Sequence, residues 1–149
     1  MADAGNGVAG PPLEALAQSI GLNIDPLYFE PDGTFPNHPA NPLDPETLHM
    51  LIDRVRNIGA DLGIAFDGDA DRAVVVDEKG RIFSGTQMTA IIAKIMLERH
   101  PGAAICGNTL LGDDARNLVR LLGGEFVQEY VGHVYIKERM RSDPRIVFA

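Results

Sequence analysis

One cysteine in 149 residues, Cys106, rules out an internal disulfide and suits a reducing compartment. No apolar run is long enough to cross a bilayer. The opening M-A-D-A-G-N-G has neither a charged nor an apolar leader segment, so a cytoplasmic location is the expectation. Basic residues are few. Thirteen Lys and Arg against 21 Asp and Glu leave a net charge of −8, which excludes a general nucleic-acid surface. Anions are left to local sites rather than to the overall field. Histidine is sparse too, and His38, His49 and His100 form no metal-ligand pattern, so they read as loop or surface residues. Apolar residues are ample: at 45% hydrophobic, the chain has enough for a packed core. Its length fits one ordinary domain or two small ones.

Gly5-Asn6-Gly7-Val8-Ala9-Gly10 opens the chain as a tight turn. It matches G-x-G-x-x-G formally, with Glu30 at the distance of a ribose partner. Without a strand before it, and with Pro11-Pro12 where a pyrophosphate would sit, a structural turn is the better reading. Leu13, Leu16, Ala17 and Ile20 then recur at helical spacing and Gly21 stops the helix. Leu27-Tyr28-Phe29 reads as a short strand, and the five prolines from Pro31 to Pro45 inclusive predict an ordered, irregular loop. Asp44 is an N-cap with Pro45 at the first helical position, and Leu48, Leu51, Ile52 and Val55 form the buried stripe before Gly59.

Leu62–Phe66 and Ala73–Val76 read as strands flanking residues 67–72, and Glu78–Arg81 as a turn. Met88, Ile91, Ile92 and Ile95 mark another helix, Ala103–Cys106 a strand, and Asp113 or Asp114 the cap of a helix through Leu122. Glu125–Val127 is strand-like. Val134, Ile136 and Met140 suit a last helix, and Ile146–Phe148 begins a strand. Cys106, inside an apolar strand, reads as core. Helices and strands alternate, which makes the class α/β: three layers, α/β/α, around a mixed, mainly parallel sheet. The pattern restarts after Arg81, so the expectation is one small domain and part of a second similar one, both ends looking cut.

Residues 67–72, D-G-D-A-D-R, carry the chemistry. Asp67, Asp69 and Asp71 alternate, and alternate side chains of an extended segment share a face. Three carboxylates together repel unless a cation neutralises them, and a hard cation such as Mg²⁺ takes oxygen ligands. The blander reading is a solvated acidic turn. An EF-hand would place Asp67, Asp69, Asp71 and Glu78 at loop positions 1, 3, 5 and 12, but Arg72 stands where the sharp turn needs Gly and the flanks read as strands. An aspartyl-nucleophile phosphatase would use Asp67 to attack phosphorus and Asp69 as acid–base. The third reading is a Mg²⁺ site for phosphoryl transfer, with Arg72 offering a planar fork to phosphate. Further on, Gly132-His133 opens a predicted helix; His133 reads either as a helix-start residue with no chemistry or as a phosphate contact helped by the free N–H groups there, with Lys137 one turn along.

In this order, D-A-G-N-G-V-A-G, P-D-G-T-F-P-N-H, G-I-A-F-D-G-D-A-D-R and V-G-H-V-Y-I-K-E-R-M resemble the α-D-phosphohexomutases, the phosphomannomutase/phosphoglucomutase family. The resemblance covers nearly the whole chain. It implies that residues 1–81 are the second of four domains and residues 82–149 the truncated N-terminal part of the third. It places Mg²⁺ on Asp67, Asp69 and Asp71. It makes Arg72 the catalytic contact to a phosphoserine or substrate phosphate, and Gly132 and His133 a substrate contact. The implied activity interconverts hexose 1-phosphate and hexose 6-phosphate through a 1,6-bisphosphate. The family's T-A-S-H-N-P phosphoserine loop and G-E-x-S-G-H sugar loop are absent, and N-T-L-L-G-D-D stands near Asn108–Asp113, where a basic residue is common. The implied partners are therefore domains I and IV, and this chain alone is expected to be inactive. The competing class is a non-catalytic metal-binding domain. A sheet cut short also leaves an edge open to pairing between chains.

Overall fold

The computed structural model describes residues 1–149 as two compact units, Met1–Phe83 and Ser84–Ala149. No helix is long and apolar enough to cross a membrane.

The first unit begins with β1 (Ala2–Asp3), a two-residue strand that is nearly invisible to periodicity yet central. After α1 (Gly10–Ile20), β2 (Pro26–Leu27) pairs parallel to β1 on one side. The expected strand at Leu27–Phe29 is thus shifted, because Tyr28 takes a left-handed φ of 50° and turns the chain away. Asp44 caps the next helical segment as expected, its carboxylate accepting from the Glu46 N–H. One 3-10 turn (Pro45–Leu48) leads into α2 (His49–Ile58). The hairpin β3 (Leu62–Phe66) and β4 (Ala73–Asp77) completes a sheet of order β2-β1-β3-β4, in which only the last pair is antiparallel.

Leu48, Leu51, Val55, Ala65, Val74 and Val76 form its core with Met1 and Leu27. Gly63 lets α2 press on β3: a Cβ there would lie 2.7 Å from Val55 Cγ2 and 3.0 Å from Leu51 Cδ1. Burying a side chain such as Leu51 contributes about 1.5–3 kcal/mol. Ile82 and Phe83 stay with this unit, Ile82 bridging to Val76 and Phe83 donating to the Val75 carbonyl.

The second unit starts with a capping box. Ser84 Oγ accepts from the Gln87 N–H at 3.2 Å and Gln87 Oε1 accepts from the Ser84 N–H at 2.8 Å. This fixes α3 (Gly85–Arg99). β5 (Ala104–Asn108) is the buried centre of a parallel sheet of order β6-β5-β7, with β6 (Glu125–Glu129) and β7 (Ile146–Phe148) on its flanks.

Between them run α4 (Asp113–Leu121) and α5 (His133–Ser142). The cap of α4 is Gly112, in extended conformation, rather than either aspartate. Asp113 and Asp114 sit in the first turn, where their charge favours the positive end of the helix dipole. Cys106 is wholly buried, as expected, and burial pushes its thiol up. It is core rather than a nucleophile.

Asp77 closes β4 by organising the turn that follows. Its carboxylate accepts from the Arg81 N–H at 2.8 Å, the Lys79 N–H at 2.9 Å and Arg81 Nε at 2.6 Å. The Arg81 N–H foremost, with burial opposing and the guanidinium and Lys79 assisting, holds the carboxyl below its ordinary range. A depressed carboxyl stabilises the fold above its unfolded value and loses that contribution as the pH falls through the folded one. Asp77→Asn therefore lowers the melting temperature at neutral pH, and the gap to the parent closes below about pH 4. Thermal melts across an acid series check this; a gap that persists undiminished would contradict it.

Candidate functional site

β3 and β4 run antiparallel with Phe66 opposite Ala73, so residues 67–72 are the loop of a hairpin. The loop is not the extended segment that alternation suggests. Ala70 takes a left-handed φ of 60°, and its N–H donates to the Asp67 carbonyl at 3.1 Å. The turn, rather than a strand pleat, brings the carboxylates together. Asp67 is buried, Asp69 and Asp71 are exposed, and one oxygen of each lies within 4.8 Å of the others. The EF-hand reading fails here, since both flanks are strands.

Arg72 is the counter-charge. Its N–H donates to Asp67 Oδ1 at 3.0 Å and its Nε to Asp67 Oδ2 at 2.6 Å, with Asp71 Oδ1 at 3.6 Å. Burial pushes the Asp67 carboxyl up. The Arg72 N–H and guanidinium, joined by a hydrogen bond with Asp71, outweigh it and leave Asp67 below its ordinary range. Asp71 moves the other way, raised first by its hydrogen bond with Asp67 and then by the Asp69 charge. Two carboxyls sharing one neighbourhood divide in this way.

The bed of this loop comes from segments that sequence reasoning did not assign to the site. Asn6 takes a left-handed φ of 61° in the Gly5–Gly10 turn. The Val8 N–H donates to the Gly68 carbonyl at 3.0 Å. Asn6 Nδ2 donates to the Glu30 carbonyl at 2.8 Å and Asn6 Oδ1 accepts from Asn37 Nδ2 at 2.7 Å, which ties the proline-rich loop to the turn. A Cβ on Gly10 would overlap the Phe29 carbonyl, so that glycine serves a close backbone approach rather than a dinucleotide. His38, read from the sequence as a loop or surface residue, turns inward to the buried Asp3 at 3.1 Å. The G-N-G and P-N-H runs were the available signals, but the pairings span 24 to 35 residues.

Gly132 and His133 lie in the second unit. Gly132 is the N-cap of α5 with a φ of 134°, no side chain caps the helix, and His133 and Lys137 are exposed.

The sequence matches the family model described as phosphoglucomutase/phosphomannomutase, alpha/beta/alpha domain II, over residues 1–80, and that for domain III over residues 84–149. The chain belongs to the phosphoglucomutase/phosphomannomutase family. It is 41% identical to a phosphomannomutase of Salmonella typhimurium over 149 residues, covering 97% of this chain and 33% of that one. It is 41% identical to a phosphomannomutase/phosphoglucomutase of Pseudomonas aeruginosa over 145 residues, covering 95% of this chain and 31% of that one. A crystal structure of a phosphoglucomutase/phosphomannomutase family protein from Burkholderia thailandensis superposes with a TM-score of 0.90 at 37% identity, over 95% of this chain and 31% of that one. The chain thus spans about a third of the length of the curated relatives it matches. The resemblance read from the motifs is borne out, as is the α/β class. The aspartate loop falls in the domain II match, and Gly132-His133 in the domain III match.

Gly7 and Gly68 are the tightest point beneath the aspartates. A Cβ at position 7 would lie 2.8 Å from the Gly68 oxygen and 2.9 Å from its Cα, backbone that cannot swing aside. Gly7→Ala is therefore expected to displace the loop and shift the amide resonances of Gly68, Asp69 and Ala70. Gly85→Ala, where the added Cβ meets nothing within 4 Å, leaves them in place. Equal spectra for the two variants would contradict the close packing.

Proposed function

We propose that this chain is the portion of a hexose-phosphate mutase that holds a divalent cation and contacts the phosphosugar. The observation that carries the reading is the cluster of Asp67, Asp69 and Asp71 beside Arg72, within the segment that matches the family's domain II. The complete enzyme interconverts hexose 1-phosphate and hexose 6-phosphate through a 1,6-bisphosphate, and this chain supplies part of that site.

Asp67, Asp69 and Asp71 would hold Mg²⁺. The donor set fits: all three are carboxylates, with no nitrogen or sulfur among them. Oxygens around Mg²⁺ with bonds of about 2.1 Å are roughly 3–4 Å apart, so the 4.8 Å spread asks for a small closure. Asp69 and Asp71 are exposed and free to make it. When bound, the cation supplies positive charge against a transferring phosphoryl group.

Arg72 keeps Asp67 ionised and oriented through Nε, while its terminal nitrogens make no hydrogen bond within the chain. They are left as a planar donor pair for the oxygens of a phosphoserine or substrate phosphate. The uncapped N-terminus of α5, with Gly132 and His133 at its start, offers N–H groups to an anionic substrate group. Phosphoryl transfer is mostly positioning and charge stabilisation, and these residues do both. Both Asp67 oxygens accept from Arg72, and each keeps a lone pair for the cation. The sequence contains no Ser-His pair for the family's phosphoserine loop. Domain I with the serine, domain IV, and the sugar loop of the third domain would complete the site.

Substoichiometric Mn²⁺ is expected to broaden the amide signals of Asp67–Arg72 first. Asp69→Asn and Asp71→Asn, both exposed, weaken metal affinity by on the order of tenfold without unfolding the chain. Scattered broadening, or affinity unmoved by both substitutions, would sink the metal reading. In a coupled hexose-phosphate assay the chain alone shows no isomerisation and gains activity when a serine-bearing first domain is added. Robust turnover by the chain alone would refute the division of labour.

A further inference from the structure

Asp3 and His38 hold neither cation nor phosphate in the reading above, yet Asp3 is 1% exposed in the middle of the sheet. Asp3 Oδ1 accepts from the Gly5 N–H at 2.8 Å, and Oδ2 faces His38 Nε2 at 3.1 Å. His38 Nδ1 faces the Pro39 carbonyl at 2.9 Å. Tyr28 packs edge-on against the ring, with centroids 5.4 Å apart. Both ring nitrogens therefore face acceptors, and a neutral imidazole has only one N–H. Both contacts form only if the pair holds one further proton, on the ring or on the carboxyl. Burial pushes the Asp3 carboxyl up, against the Gly5 N–H and His38.

The pair sits under the turn that supports the aspartates. A Cβ on Gly5 would lie 3.2 Å from His38 Cε1. Two residues on, Gly7 presses on Gly68, and the Val8 N–H holds the Gly68 carbonyl. We infer that Asp3 and His38 are positioning residues, a buried pair sharing one proton that braces the Gly5–Gly7 turn and, through Gly68, sets the aspartate loop for its cation. The effect on metal affinity rests on the cation reading of that loop; the bracing itself does not.

Asp3→Asn separates this from a generic structural role. The Asn oxygen accepts from Gly5, its amide N–H donates to Nε2 of a neutral ring, and Nδ1–H still serves Pro39. Every hydrogen bond survives without the extra proton. In the full 149-residue chain, His38→Ala and Asp3→Ala are expected to shift the Gly68 and Asp69 amide signals in metal-free spectra. They should also weaken Mn²⁺ binding about fivefold. Asp3→Asn stays within about twofold of the parent in the same titration.

A folded His38→Ala with those signals in place and affinity unchanged would overturn the inference. Should His38→Ala fail to fold, Asp3→Asn decides: parent-like spectra and affinity support the shared proton, and losses as large as those of Asp3→Ala overturn it. If the parent takes up no Mn²⁺ while His38→Ala still moves Gly68, the cation reading falls and the bracing stands.

Discussion

Three carboxylates lie within 4.8 Å of one another, and one guanidinium pairs with the buried one, Asp67, and faces Asp71. Like charges this close disfavour each other's ionisation, and a buried carboxylate is tolerated only when its oxygens are satisfied. Asp67 meets that condition because the hairpin returns Arg72 to its side. Both oxygens accept from one residue, by backbone and by side chain. Asp69 and Asp71 remain in solvent, where their repulsion is screened and their orientation adjustable. The result is one buried, fixed carboxylate and two exposed ones beside a guanidinium whose terminal nitrogens make no hydrogen bond within the chain. That division would suit the cation and phosphate proposed for this loop.

Much of this was legible in the sequence. Apolar residues at helical spacing located the helices, and Asp44-Pro45 marked a cap that the structure reproduces. The D-G-D-A-D-R run named three carboxylates that do meet, but through a turn at Ala70 rather than through strand alternation. Two residues of β1 carry no period to detect, so the central strand of the first sheet was missed. The capping box of Ser84 and Gln87 that starts α3 was not drawn from the sequence, where that helix rested on Met88, Ile91, Ile92 and Ile95. His38 could not be placed, since its burial depends on Asp3, 35 residues away and itself in the undetected strand. Local chemistry is written locally; the support beneath it is made of long-range backbone contacts between glycines, which have no side chain to advertise them.

The position of the site follows from strand order. In β2-β1-β3-β4, the chain leaves β1 through α1 toward β2 on one side, while β3 lies on the other. Neighbouring parallel strands whose connections diverge leave a crevice beyond their carboxyl ends, and ligands favour that crevice. Here the loop after β1 is the glycine turn and the loop after β3 carries the aspartates, so Gly7 meets Gly68 at the switch point itself. The second unit repeats the order as β6-β5-β7. The loop after its central strand, though, is Thr109–Gly112, running into the acidic first turn of α4. The same topology therefore carries a carboxylate cluster in one unit and none in the other. Strand order makes the crevice available, and the side chains on the loops decide its chemistry. In the first unit the glycine turn packs directly against the aspartate loop, Gly7 beside Gly68 and the Val8 N–H on the Gly68 carbonyl, so the turn supports the aspartates from below.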